Sequence, residues 1–166
     1  MNIVLASTII SFLLESITSN FISLNNQIFI PLFSLISLVI IYPYFRTDKL
    51  RYIKACAILG FFYDIVFTDT LIMNLLLFSI IGFIISFINK IFSNNVISIV
   101  VISAIIILCY RFMSYSILCI SGLFEFYGNR LWESIYSSMI LNIIYAIVLY
   151  IITDILARKY HIRKID

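Results

Sequence analysis

Apolar residues lie along this chain in long runs separated by short polar clusters. None shows the two-residue alternation of a membrane barrel strand, so isoleucine-rich stretches that would favour strands in water read here as helices. The first run covers about Ile3 to Leu24 and ends at Asn25-Asn26-Gln27. The second covers about Ile28 to Phe45, with Pro31 expected in its first turn, where a proline is tolerated, and Pro43 near its end. From Ala55 to Asn89 the chain is apolar for too long to be one crossing. Asp64, Thr68, Asp69 and Thr70 divide it, and a tight turn at Thr68 to Thr70 gives spans of about Ile53 to Phe67 and Leu71 to Ile88. Two further runs cover about Val96 to Leu118 and Leu131 to Leu156, joined by a polar link from Ser121 to Arg130. The pattern predicts an all-α integral membrane protein, a bundle of about six transmembrane helices in one domain covering residues 1–166.

Composition agrees, since 63% of the 166 residues are hydrophobic and 11% charged, against about 25% charged in an ordinary soluble domain. Six spans of about 20 residues consume roughly 120, which leaves room for short connections and a tail. The N-terminus lacks the pattern of a cleaved signal, so the first span is expected to be retained. Cys56, Cys109 and Cys119 have no metal-ligand spacing and read as small packing residues.

Charge orients the bundle. With six spans, Arg46, Lys49, Arg51, Lys54, Lys90, Arg158, Lys159, Arg163 and Lys164 fall on one face and Arg130 on the other. That places both termini in the cytoplasm. The segment from Arg46 to Lys54 is expected to be a loop or interfacial turn, and the tail from Arg158 to lie in water. Because the basic residues sit at helix ends, topology explains the net charge of +3 and a nucleic-acid partner is disfavoured. Tyr42, Tyr44, Trp132 and Tyr136 fall near expected interfaces, as aromatic anchors do.

Glu15, Asp64 and Arg111 lie inside the apolar runs, where a charge costs at least about 2.5 to 3.5 kcal/mol. Helix rise puts Asp64 about 15 Å, Glu15 about 18 Å and Arg111 over about 20 Å from the cytoplasmic ends of their spans. An internal network is expected, with Arg111 bridging Glu15 or Asp64 and Asn142 supplying hydrogen bonds. A proton or ion relay is the functional alternative, disfavoured because no span carries a further series of acidic or histidine residues. Asp154 has Arg158 four residues on, on the same helical face, and reads as a solvated pair. Ser7, Ser11, Gly60 and Gly82 are small enough to allow close helix approach.

Catalytic constellations are missing from the sequence. His161 is the sole histidine and lies in the tail, and neither an H-E-x-x-H helix, a G-x-S-x-G elbow nor a phosphate-binding glycine loop occurs. No enzymatic activity, metal or cofactor is expected.

The hairpin Gly60-Phe61-Phe62-Tyr63-Asp64-Ile65-Val66-Phe67, Asn74-Leu75-Leu76-Leu77-Phe78, Ile80-Ile81-Gly82-Phe83 resembles the rod shape-determining protein MreD family. Gly60, Asp64 and Gly82 match the family's glycine, helix-ending aspartate and second glycine, and Pro31 matches the proline opening its second span. Leu32 replaces the polar residue often following that proline, and Ile72 or Met73 a glycine frequent before the fourth helix. The resemblance implies a non-enzymatic, multi-pass subunit of the cell-elongation machinery in the bacterial cytoplasmic membrane. Its implied partners are MreC and other elongation-complex membrane proteins, with MreB filaments and peptidoglycan synthases reached through MreC. A rival of similar length and span number is the substrate-binding membrane subunit of an energy-coupling-factor vitamin transporter. Its alanine-lined docking face is absent here, since Ile10 follows Ala6, but Tyr110, Tyr115, Glu125, Tyr127 and Trp132 could line a ligand pocket. A small channel would rest on Glu15, Asp64 and Arg111 alone.

Overall fold

The computed structural model describes residues 2–21, 30–45, 48–68, 72–92, 95–122 and 125–160. Among them the chain forms six α-helices and one 3-10 turn, and no strand. They are α1 (Asn2–Phe21), α2 (Phe33–Ile41) continued by the 3-10 turn Tyr42–Tyr44, α3 (Lys49–Phe67), α4 (Met73–Ile88), α5 (Val96–Ile120) and α6 (Gly128–Lys159). The last two are long and apolar enough to cross a membrane.

The second element departs most from expectation. Every residue of the nine-residue α2 is buried, so it forms the axis around which the other helices pack. Its helix starts at Phe33, which leaves Pro31 outside the first turn, and residues 30–32 are non-helical, the Leu32 carbonyl making the first helical bond by accepting from Ile36 N–H (3.1 Å). Non-helical backbone inside an apolar bundle needs every polar group matched. Here α6 matches them: Ile30 N–H donates to the Ser137 carbonyl (3.3 Å), Asn142 Nδ2 donates to the Ile30 carbonyl (2.9 Å), and Leu32 N–H donates to Asn142 Oδ1 (2.7 Å). Pro31 has no N–H to satisfy. Leu32 itself, at φ −137° and ψ 42°, is neither helical nor extended. Residues 28 and 29 of the expected span, and the Asn25-Asn26-Gln27 turn, lie outside the described residues.

α3 begins at Lys49, so the expected loop up to Lys54 is helical from that residue onward. Asp48 explains this, since its carboxylate accepts the Arg51 N–H (3.2 Å) and pairs with the Arg51 guanidinium (2.9 Å), capping the helix start. Arg46 lies outside the described residues. α6 likewise begins at Gly128, inside the expected polar link, and the turn between α3 and α4 falls between Phe67 and Met73, with 69–71 not described. The tail beyond Tyr160, with His161, Arg163 and Lys164, is also outside.

α3 and α4 form the tightest helix pair. A Cβ on Gly60 would run into the Asn74 carbonyl oxygen and lie 2.9 Å from the Leu75 Cα, and one on Gly82 would lie 2.7 Å from Cys56 Sγ. Each glycine thus lets one backbone reach the partner helix, at opposite ends of the hairpin. Tyr42, expected at an interface, is instead buried in the core, with its hydroxyl donating to the Ser86 carbonyl (3.2 Å) and its ring against Tyr52. Trp132 and Tyr136 are exposed.

Candidate functional site

The polar side chains inside the bundle gather around two helix starts. α2 and α4 begin after Leu32 and Ile72, apolar residues with no side-chain cap of their own. Such a start leaves N–H groups that need acceptors from elsewhere. In both places a carboxylate from another helix supplies them.

At α4 the acceptor is Asp64, on the last turn of α3. One oxygen accepts from Asn74 N–H (3.0 Å), Asn74 Nδ2 (2.9 Å) and the Thr68 hydroxyl (3.0 Å). The other accepts from Leu75 N–H (3.0 Å). A negative charge at a helix N-terminus also meets the positive end of the helix dipole. The side-chain oxygen of Asn74 then accepts from the Tyr110 hydroxyl (2.9 Å), which brings α5 into the cluster. Gly60 is what allows this, since its missing side chain lets the start of α4 settle against α3.

At α2 the acceptor is Glu15 of α1. Oε2 accepts from Ser34 N–H (2.7 Å) and Oε1 from the Tyr63 hydroxyl (3.0 Å). Tyr63 precedes Asp64 on α3, so neighbouring residues serve the two sites. Asn142 completes the α2 start through Leu32 N–H, as described. On α1, the Ser11 hydroxyl bonds the Ser7 carbonyl (2.7 Å) and lies 2.7 Å from the Tyr145 hydroxyl of α6. The face marked by Ser7 and Ser11 therefore packs within this chain.

Arg111 does not bridge Glu15 or Asp64. Among the described residues the side-chain ion pairs are Arg51–Asp48 and Arg158–Asp154 (2.8 Å), both toward the surface. Arg111 Nε donates instead to the Ser138 hydroxyl (3.0 Å), and Asn142 faces the start of α2 rather than Arg111. The physical reason is competition: the carboxylate oxygens already hold donors at the two helix starts, Ser34 and Tyr63 on Glu15 and Thr68, Asn74 and Leu75 on Asp64. Sequence reasoning missed Tyr63, Asn74 and Ser138 as interior hydrogen-bond partners and put Tyr110 in a ligand pocket rather than against Asn74. Each lies in an apolar stretch, and the one available signal was the Tyr-Asp neighbour pair.

The residues proposed for a ligand pocket do not converge. Tyr110 turns into the core, whereas Tyr115, Glu125 and Tyr127 form an exposed cluster in which Tyr115 accepts from Tyr127 N–H (2.9 Å) and Tyr127 donates to Glu125 (2.6 Å). No group of three or more metal-ligating side chains occurs among the described residues. All three cysteines are free, with Cys56 buried.

Fold and site together define a helical bundle whose interior carboxylates hold helix ends across the protein. The chain belongs to the rod shape-determining protein MreD family, whose model matches residues 1–160. This is a family of membrane proteins with a role in rod shape determination. No curated protein matches the chain, and no solved structure does.

Proposed function

We infer that this chain is a non-enzymatic, multi-pass subunit of the bacterial cell-elongation complex in the cytoplasmic membrane, where it supports MreC- and MreB-linked peptidoglycan synthesis. The observation that carries this reading is the family match over nearly the whole chain. The interior adds support, because the oxygens of Glu15 and Asp64 are engaged in holding helix starts, as befits a scaffold. In this reading residues 1–166 are one domain with six crossing elements, α2 with its non-helical lead-in and 3-10 turn being the second. Both termini lie in the cytoplasm, because nine of the eleven Lys and Arg residues then share that side. MreC and other membrane proteins of the complex are its partners, contacted through helix faces within the bilayer.

The test is affinity capture of the tagged full chain in mild detergent, with mass spectrometry of what remains bound. Recovery of MreC and wall synthases is the expected outcome. Recovery of paired ATPases with a coupling membrane subunit would overturn the reading in favour of a vitamin transporter.

A further inference from the structure

Among the described residues, Arg111 is the interior charge that the two capped helix starts leave unexplained. Its Nε is engaged by Ser138, and its guanidinium carbon lies 5.9 Å from the centre of the Tyr110 ring. Its Nη2 is buried with no hydrogen-bond partner. Among the described residues no carboxylate forms an ion pair with Arg111: the oxygens of Glu15, whose charge acts on Arg111 through space, are held by Ser34 and Tyr63, and those of Asp64 by Thr68, Asn74 and Leu75. Asp48 and Asp154 pair with other arginines, and Glu125 bonds Tyr127. A guanidinium is always charged and presents a planar fork suited to two oxygens of one anion. Leaving a buried donor of this kind unmatched is costly.

The surroundings show how an anion would arrive. Tyr110 is the last buried residue of α5 and Ile135 the first of α6, so the two helices leave the body of the bundle where Arg111 sits. Arg111 itself is half-buried, as are the neighbouring Ser114 and Ser134. Phe112, next to Arg111 on α5, and Trp132, two residues before Ser134 on α6, are exposed, as is Glu133 between Trp132 and Ser134. By helix rise Arg111 is about 22 Å from the start of α5, in the half of a core of about 30 Å that lies away from the basic segments. That is the depth at which a long arginine side chain meets lipid head groups.

We propose that Arg111, at the opening between α5 and α6, is the anchor of a phosphate-binding site, its free Nη2 donating to a phosphate oxygen. The phosphate comes either from a lipid head group, with its acyl chains along Phe112 and Trp132, or from free phosphate. The site rests on the membrane-crossing arrangement given above and not on the partners named there.

The experiment uses the purified full chain, stripped of lipid in dodecyl maltoside. Thermal unfolding is followed with dioleoylphosphatidylglycerol, with dioleoylglycerol, which has the same chains and no phosphate, and with inorganic phosphate, while native mass spectrometry counts retained lipid. Phosphatidylglycerol is expected to raise the unfolding midpoint by several degrees and remain bound, and dioleoylglycerol to do neither. Arg111→Met removes the charge at similar volume and should lose the response, weakening binding by about tenfold or more. Arg111→Lys, a charge without the fork, should keep part of it. An Arg111-dependent response to inorganic phosphate alone identifies the free anion as the source and sustains the site. An equal response to dioleoylglycerol, an unaltered response in Arg111→Met, or no response to any phosphate compound overturns it. If Arg111→Met does not fold, Arg111→Lys and the lipid count on the unmodified chain decide. Loss of partner capture in the earlier experiment would leave this result standing.

Discussion

At the start of α4 a carboxylate receives a backbone N–H on each of its oxygens, whereas at the start of α2 the carboxylate receives one N–H on one oxygen and a phenol hydroxyl on the other. The difference is chemical. Two N–H groups can only donate, so both oxygens of Asp64 must accept, and a carboxylate alone meets that demand. A tyrosine hydroxyl can turn to accept instead, so the position of Glu15 requires one acceptor and tolerates one donor. The α4 site is also local, joining residues about ten apart, while the α2 site joins α1, α2 and α3 and is completed by Asn142 of α6.

Removing a carboxylate altogether tests the comparison most severely. Asp64→Ala strands two N–H groups and the Asn74 amide and should cost about 3 to 5 kcal/mol, read as a lowered unfolding midpoint in detergent. Asp64→Asn places an amide NH2 against a backbone N–H and should cost about 2 to 3 kcal/mol. Gly60→Ala leaves the carboxylate intact but drives a methyl into the Asn74 carbonyl, with an expected loss of about 2 kcal/mol. Glu15 and Tyr63 stay bonded in that variant, so crosslinks between cysteines placed on α1 and α3 should form as before. Tyr63→Phe should cost about 1 kcal/mol through the lost hydroxyl. Glu15→Gln is the sharpest discriminator, since its amide can donate to Tyr63 while its oxygen accepts from Ser34, and the change should stay below about 1 kcal/mol. A Glu15→Gln loss as large as that of Asp64→Asn would show that the two sites are equivalent after all.

The helices, their approximate limits and the residues of the α3–α4 hairpin could be read from the sequence because they depend on neighbours. Asp64 and Gly60 belong to one short motif, and their partners lie just across a turn. Depth along a helix was also accessible, because rise per residue is fixed. Direction around the helix was not, which is why Arg111 was expected to meet a carboxylate and instead meets Ser138. The interruption before α2 was hidden for a related reason. Pro31 is compatible with a first helical turn, and only the placement of Asn142, far along the chain, shows that the preceding backbone has other partners. Tyr42, read as an interface anchor, and Tyr110, read as a pocket residue, were similarly opaque until their hydroxyls were traced to Ser86 and Asn74.

The lead-in to α2 has a consequence for biogenesis. Its backbone groups at Ile30 and Leu32 are matched by Ser137 and Asn142, which leave the ribosome more than a hundred residues later. In the six-crossing arrangement proposed above, lipid offers those groups no substitute. In that arrangement the second segment waits in another conformation, fully helical or held at the membrane surface, until α6 is inserted. The centre of the bundle is thus completed last, and a nascent chain lacking its sixth helix would present an unfinished core to the quality-control proteases of the membrane.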